Sequence, residues 1–260
     1  MSIVPSFNPQ SNQTLARTLD RVLSVQRPVV LAHLRSIRHG KPELTPTDVV
    51  RILERRYLAA VTTGGALVGA TAAIPAVGTV ASVAMSAAET AGFLEASALF
   101  AQSVTEVHGI ALDDPERART LVMALILGSA GSDLVEQLAG EVVGAAPARA
   151  AFWGEMVTKS LPKSAVGGVS KRLRAYFVKR FAAREGASIV GRAIPFGIGA
   201  VIGGAGNHFL GRRVIQSSRT AFGAAPAQFP AGLDVRVVKV RRVTAAAIPP
   251  QPRGAARPPQ

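Results

Sequence analysis

The sequence predicts an all-α fold: a helical bundle with two Ala/Gly-rich apolar segments, each broken by an Ile-Pro step, between disordered N- and C-terminal tails. Three observations carry this. Hydrophobic residues make up 48% of the 260 positions but aromatics only 5%, so the apolar mass is mostly Ala, Val, Leu and Ile, which suits closely packed helices better than a β-sandwich. Apolar residues recur at three- and four-residue steps, the period of one helix face. No charged residue stands between Tyr57 and Ala88, or between Ala193 and Gly211.

Residues 1–13 read as a disordered lead with Pro5 and Pro9; they lack the basic-then-apolar order of a secretion signal. Helical spacing starts at Thr14, with Leu15, Leu19, Val22 and Leu23, and resumes with Val30, Leu31, Leu34 and Ile37 after Pro28, which fits a first helical turn. His39-Gly40-Lys41-Pro42 ends this run. Thr45-Pro46-Thr47-Asp48 opens the next helix: Thr45 is a cap, Pro46 fits the first position, and Asp48 favours the positive end of the dipole. That helix enters the first uncharged stretch, which Ile74-Pro75 breaks, so two helices should meet at 73–78. The second runs on through Glu89, Glu95 and Glu106 to Gly109. Asp113 or Asp114 caps a further helix with an apolar body from Leu121 to Leu127, and the run from Gly128 to Asp133 ends it and caps another over Leu134–Val143. Residues 148–185 hold basic amphipathic segments. The second uncharged stretch opens Ala193-Ile194-Pro195, echoing Ala73-Ile74-Pro75. A helical domain over 14–224 is therefore expected, followed by a Pro-rich basic tail over 225–260, in which 235–240 alternates like a short strand.

Charge is unevenly distributed. The net +14 divides into +5 over residues 1–56, −6 over 57–140 and +15 over 141–260. A basic balance suits anionic lipid, nucleic acid or an acidic protein. The absence of cysteine excludes disulfides, thiol nucleophiles and Cys-ligated zinc.

No motif assigns chemistry. The four histidines lack HExxH spacing, and no GxSxG elbow or Walker loop is present. Gly197-x-Gly199-x-x-x-Gly203 misses the dinucleotide fingerprint by one residue. The polar candidates are Glu89, Glu106, His108 and His208, for which an ordinary salt bridge, hydrogen bond or exposed group is the plainer account. No catalytic residue, metal or cofactor is assigned. Gly65, Gly69, Gly199, Gly203 and Asn207 form small-residue steps through which helices pack, with Pro75, Gly78 and Pro195 at the breaks. Such steps serve membrane helices and Ala-rich soluble cores alike, and length set against weak hydropathy leaves both open. Lys171, Arg172, Arg174, Lys179, Arg180 and Arg184, interleaved with Tyr176, Phe177 and Phe181, suit anionic lipid or nucleic acid, with a solvated face as the plain alternative; lipid is favoured because uncharged stretches and basic flanks occur together.

In order along the chain, Thr45-Pro-Thr-Asp, Leu53-Glu-Arg-Arg-Tyr-Leu-Ala-Ala, Ile74-Pro-Ala-Val-Gly, Ala88-Glu-Thr, Glu106-Val-His-Gly, Asp114-Pro-Glu-Arg, Pro195-Phe-Gly-Ile-Gly, Gly204-Ala-Gly-Asn and Ala221-Phe-Gly resemble the EcsC family as it appears in actinobacteria. The likeness spans about residues 45–224. It implies a bacterial helical protein linked to the membrane, in a family whose founding member is associated with an ABC-transporter locus. It brings no catalytic residues.

The resulting expectation is a scaffold or accessory factor on the cytoplasmic face of the cell membrane, peripheral or inserted, with the cytoplasm as second choice. Its partners would be anionic lipid and a membrane transporter or a second copy of the chain. Two other classes stand beside it: a soluble hydrolase-like enzyme gathering Glu89, Glu106, His108 and Asn207 into one pocket, and a nucleic-acid binder acting through 159–184.

Overall fold

The computed structural model describes residues 27–71, 79–110, 113–143, 154, 157–158, 162, 165–177 and 198–233. Among the described residues every regular element is helical, and the architecture is the all-α bundle that composition and periodicity predict. In chain order the helices are α1 (Arg27–Arg38), α2 (Pro46–Thr71), α3 (Thr79–Val107), α4 (Pro115–Leu127), α5 (Ser129–Val143), α6 (165–177) and α7 (Ile198–Phe222). The helical pattern over 14–26, the Ile-Pro breaks with Pro75, Gly78 and Pro195, and the short alternating run at 235–240 lie outside the described residues.

Local signals set most boundaries. α1 buries Val30, Leu34 and Ile37, one stripe at four- and three-residue steps, and the chain leaves it through Gly40 at φ 70°. α2 opens on a reciprocal capping box: the Asp48 amide donates to Thr45 Oγ1 at 3.2 Å, and the Thr45 amide donates back to Asp48 Oδ2 at 3.1 Å. The Thr45 hydroxyl also donates to Asp48 Oδ2 at 2.6 Å, and these bonds hold the Asp48 carboxyl below its ordinary pKa. Of the two aspartates before α4, Asp114 is the cap; its Oδ1 accepts from the amides of Glu116 (2.9 Å) and Arg117 (3.4 Å). Asp113 instead accepts from Arg27.

The run from Gly128 to Asp133 departs from expectation. It is no linker: Gly128, at φ 68°, turns the chain alone and α5 starts at Ser129. The corner is tight because a Cβ on Gly131 would sit 2.2 Å from the Ala124 carbonyl oxygen, so backbone meets backbone where only glycine fits.

α3 is the axis of the bundle. From Ser97 onward nearly every side chain on it is buried, whichever way it points, as expected of a helix enclosed by neighbours. α1, α2, α4 and α7 all pack against it. α1 is fastened there by Arg27, whose Nε donates to Glu106 Oε1 at 2.6 Å and whose Nη1 donates to Asp113 Oδ1 at 3.1 Å.

The most extensive pairing joins α2 and α7, which run antiparallel. Glu54 meets Arg219, Val61 and Leu58 meet Gly211, Thr62 meets His208, and Ala66 meets Gly204. α3 runs antiparallel to α2 and parallel to α7, since Tyr57 stacks on Phe100 while Glu89 meets Asn207 and His108 meets Phe222. The expected tail begins too early at 225. After Gly223 the chain folds back on α1: Phe229 lies under the Arg38 guanidinium, 3.8 Å from ring centroid to Cζ, the Leu233 carbonyl accepts from Arg38 Nη1, and the Leu233 side chain is buried. Those two apolar side chains outweigh the prolines around them.

Candidate functional site

Residues 57–71 of α2 and 198–211 of α7, which belong to the two uncharged stretches, lie side by side. Gly65 is buried in α2 and Gly69 half-buried; Gly199 and Gly203 lie on α7, outside the residues whose packing is described. Two further glycines of α7 stand against α2. A Cβ on Gly204 would stand 3.3 Å from Ala66 Cβ, and one on Gly211 would stand 2.9 Å from Val61 Cγ2 and 3.1 Å from Leu58 Cδ1. A four-residue step turns a helix by about 40° beyond a full circle, so a ladder of such steps leaves the contact face, whereas a seven-residue step drifts by only about 20°. Gly204 and Gly211 are one such step apart.

Asn207, between them, is an interhelical clamp. Its Nδ2 donates to the Val61 carbonyl at 3.2 Å and to Glu89 Oε1 at 3.1 Å, so one amide ties α7 to both α2 and α3. His208 Nδ1 lies 3.1 Å from Thr62 Oγ1. This is the plainer of the two roles open to Asn207 and His208, polar glue between close-packed helices.

The other polar candidates are dispersed. Glu106 is buried and paired with Arg27, and His108 packs against the Phe222 ring at 5.4 Å between centroids. Burial pushes the His108 imidazole below its usual range. Glu89 and Glu106 share α3 but stand 17 residues apart, about 25 Å along the axis. Two open grooves, of about 460 and 320 Å³, flank the start of α2 and meet at Leu44; neither is lined by Glu89, Glu106, His108 or Asn207. Among the described residues no cluster of three or more His, Asp or Glu side chains is placed to hold a metal ion.

What the site presents outward is aromatic and basic. On α7, Phe209 is 60% exposed, and Arg212 and Arg213, three and four residues on, share its outer face. The Arg213 guanidinium sits over the Phe209 ring, 5.4 Å from its centroid. α6 repeats this arrangement: Val166, Val169, Leu173 and Phe177 point inward, while Lys171, Arg172 and Tyr176 face out. Of the predicted basic set, Arg174 is half-buried, and Lys179, Arg180 and Arg184 lie outside the described residues. Sequence reasoning missed Phe209 because attention in the uncharged run went to its small and polar residues; its place opposite Gly204, Asn207 and Gly211 on the wheel was the available signal.

Membrane insertion as spanning segments is corrected here: among the described residues, no helix is long and apolar enough to cross a membrane. Ala, Gly, Ser and Thr make these helices uncharged without making them strongly hydrophobic. Comparison with known proteins finds no matching family model, no matching curated protein and no matching solved structure.

Proposed function

We propose that this chain is a helical scaffold or accessory protein that binds anionic lipid at the cytoplasmic face of the membrane. The observation that carries the reading is Phe209, a large aromatic side chain left 60% exposed on the uncharged half of α7, with Arg212 and Arg213 beside it. An exposed aromatic ring flanked by arginines suits an anionic leaflet, near which each basic residue contributes about 1 kcal/mol. The exposed Lys171, Arg172 and Tyr176 on α6 add a second surface of the same chemistry. Kinship with the EcsC family belongs to the same proposal and agrees with a membrane-linked bacterial helical protein, with a transporter or a second copy as the protein partner. The enzyme alternative loses its premise, because Glu89 and Asn207 meet far from Glu106 and His108.

The test is flotation of the full chain with phosphatidylcholine vesicles, with and without phosphatidylglycerol. The proposal requires co-flotation with the anionic vesicles only, weakening as salt rises. Salt-dependent DNA binding without vesicle binding would transfer the basic surface to nucleic acid.

A further inference from the structure

The antiparallel register of α2 and α7 puts four arginines at one height. Gly211 stands beside Leu58 and Val61, so Arg212 and Arg213 on α7 lie within about one helical turn of Arg55 and Arg56 on α2. All four side chains are exposed. On one side of this level lie Arg27–Glu106, Arg27–Asp113 and Arg219–Glu54. On the other, α2 has no charged residue from Tyr57 to Thr71 and α7 has none from Ile198 to Gly211. α3 contributes Glu89, half-buried against Asn207, and then Glu95, which is exposed close to the arginine level.

We infer that the chain docks end-on, with the uncharged ends of α2, α3 and α7 immersed in one leaflet and Arg55, Arg56, Arg212 and Arg213 forming a collar at its phosphates. This rests on the lipid reading above. Three features select this orientation over a helix lying flat. The first is height: the uncharged part of α2 is about 22 Å long, which matches half of a bilayer whose thickness with headgroups is about 40–45 Å. The second is the direction of the exposed apolar groups. Phe209 is on the side of α7 remote from α2, opposite Gly204 and Gly211. Leu67, 64% exposed, is turned about 100° from Ala66, which faces α7. The two share no flat face, so a surface lying along the pair reaches only one of them, whereas immersion from the end covers both. The third is charge complementarity: the collar draws two arginines from each helix, so it surrounds the pair and faces the acidic headgroup layer. Glu89 enters with its carboxylate half-buried and bonded by Asn207.

The chain contains no cysteine, so single cysteines report position without a background. Leu67→Cys and Ala205→Cys place an environment-sensitive fluorophore on the two uncharged ends; Ala224→Cys and Ser36→Cys place it on the far side of the collar, just past α7 and on α1. All four positions are exposed, and far-UV circular dichroism checks that each labelled chain keeps its helices. With phosphatidylcholine–phosphatidylglycerol vesicles carrying a mid-chain nitroxide lipid, the labels at 67 and 205 are both quenched and blue-shifted, and those at 224 and 36 are not. Quenching at only one of 67 and 205, or equal quenching at 224 or 36, overturns end-on docking. Flotation of the same samples shows whether lipid binding survives; if the unaltered chain does not float with anionic vesicles, both readings fall. The charge arm is independent. Arg55→Gln/Arg56→Gln and Arg212→Gln/Arg213→Gln each weaken partitioning, about five-fold per arginine, and loss confined to the α7 pair overturns the collar.

Discussion

The α2–α7 pair is held together differently at its two halves. Toward Pro46 and Phe222 it is closed by bulk: Tyr57 is buried and stacked on Phe100 at 4.7 Å, its hydroxyl bonded to Ser97, with Gly211 pressed under Val61 and Leu58 and the Arg219–Glu54 pair above. Toward Thr71 and Ile198 it is closed by small residues: Gly204 approaches Ala66, and Asn207 and His208 supply directed hydrogen bonds in place of interlocking side chains. The first half uses up its large apolar groups in the core. The second keeps its backbones together without them and leaves Leu67 and Phe209 outside. Stability therefore belongs to one half and surface chemistry to the other.

The sharpest break of that comparison is Tyr57→Ala against Leu67→Ala. Tyr57 loses a fully buried ring, its stack and its hydroxyl bond, at a cost of about 3–5 kcal/mol by the yardstick of large aromatic-to-alanine changes. Leu67 and Phe209, both mostly exposed, change stability by less than about 0.5 kcal/mol when truncated but lower vesicle affinity. Chemical denaturation paired with flotation reads both columns; a large stability loss at Leu67 would erase the division between the halves.

The two glycines sharpen it next. An alanine methyl at Gly211 meets Val61 Cγ2, attached to a rigid β-branched side chain, at 2.9 Å, and overpacking of this kind costs about 1–3 kcal/mol. At Gly204 the same methyl meets Ala66 Cβ at 3.3 Å, a milder approach, and it gains about 1 kcal/mol of helix propensity. Gly204→Ala is expected near neutral and Gly211→Ala clearly destabilising, by urea denaturation midpoints.

How much of this was legible depends on the range of the signal. Thr45 with Asp48, Asp114 with Pro115, and the uncharged runs are local patterns, and each produced the helix it implied. The alignment of the runs followed from their shared composition. The residues that lock the bundle did not show: Arg27 finds Glu106 across 79 positions, Arg38 finds Phe229, and no spacing rule links such partners. The glycine stripe was half visible. Four-residue steps drew attention to Gly199 and Gly203, whose packing lies outside the described residues; where packing is described, the contact face follows the seven-residue step through Gly204 and Gly211. The Gly128–Asp133 run misled for a similar reason, since small polar residues mark a linker unless a single positive-φ glycine makes the whole turn.

Asn207→Ala comes next in size. It removes the donor shared by Val61 and Glu89 and leaves the half-buried carboxylate short of one bond, a loss of about 1 kcal/mol. If Asn207→Ala leaves the unfolding midpoint unchanged, the uncharged half is held by shape alone.

Acid tests the bulky half from another side. His108, beside Phe222, is neutral in the folded chain, and burial sets its pKa below the 6.5 of the unfolded chain. The stability this neutral state contributes is complete above about pH 6.5 and is lost as pH falls from there through the folded value, because the unfolded state takes up the proton first. His33 acts in the same direction, through burial and then the Arg56 charge. The thermal midpoint should drop between pH 7.5 and 5.5, and His108→Gln should flatten part of that drop.

The smallest effect is expected where the structure draws the most conspicuous bond. Arg219 grips Glu54 through two hydrogen bonds, Nε to Oε1 at 2.8 Å and Nη2 to Oε2 at 2.6 Å, and the pair holds its guanidinium above the usual arginine pKa. Yet the Arg219 side chain is 60% exposed, so water and salt compete for the charge, and pairs of this kind contribute less than about 1 kcal/mol. Glu54→Gln should shift the unfolding midpoint only slightly, and the difference from the unaltered chain should vanish in molar salt. A large, salt-resistant loss would mean that the bulky half is fastened by charge as much as by Tyr57 and its neighbours, and the contrast between the two halves would have to be redrawn as ionic against hydrogen-bonded.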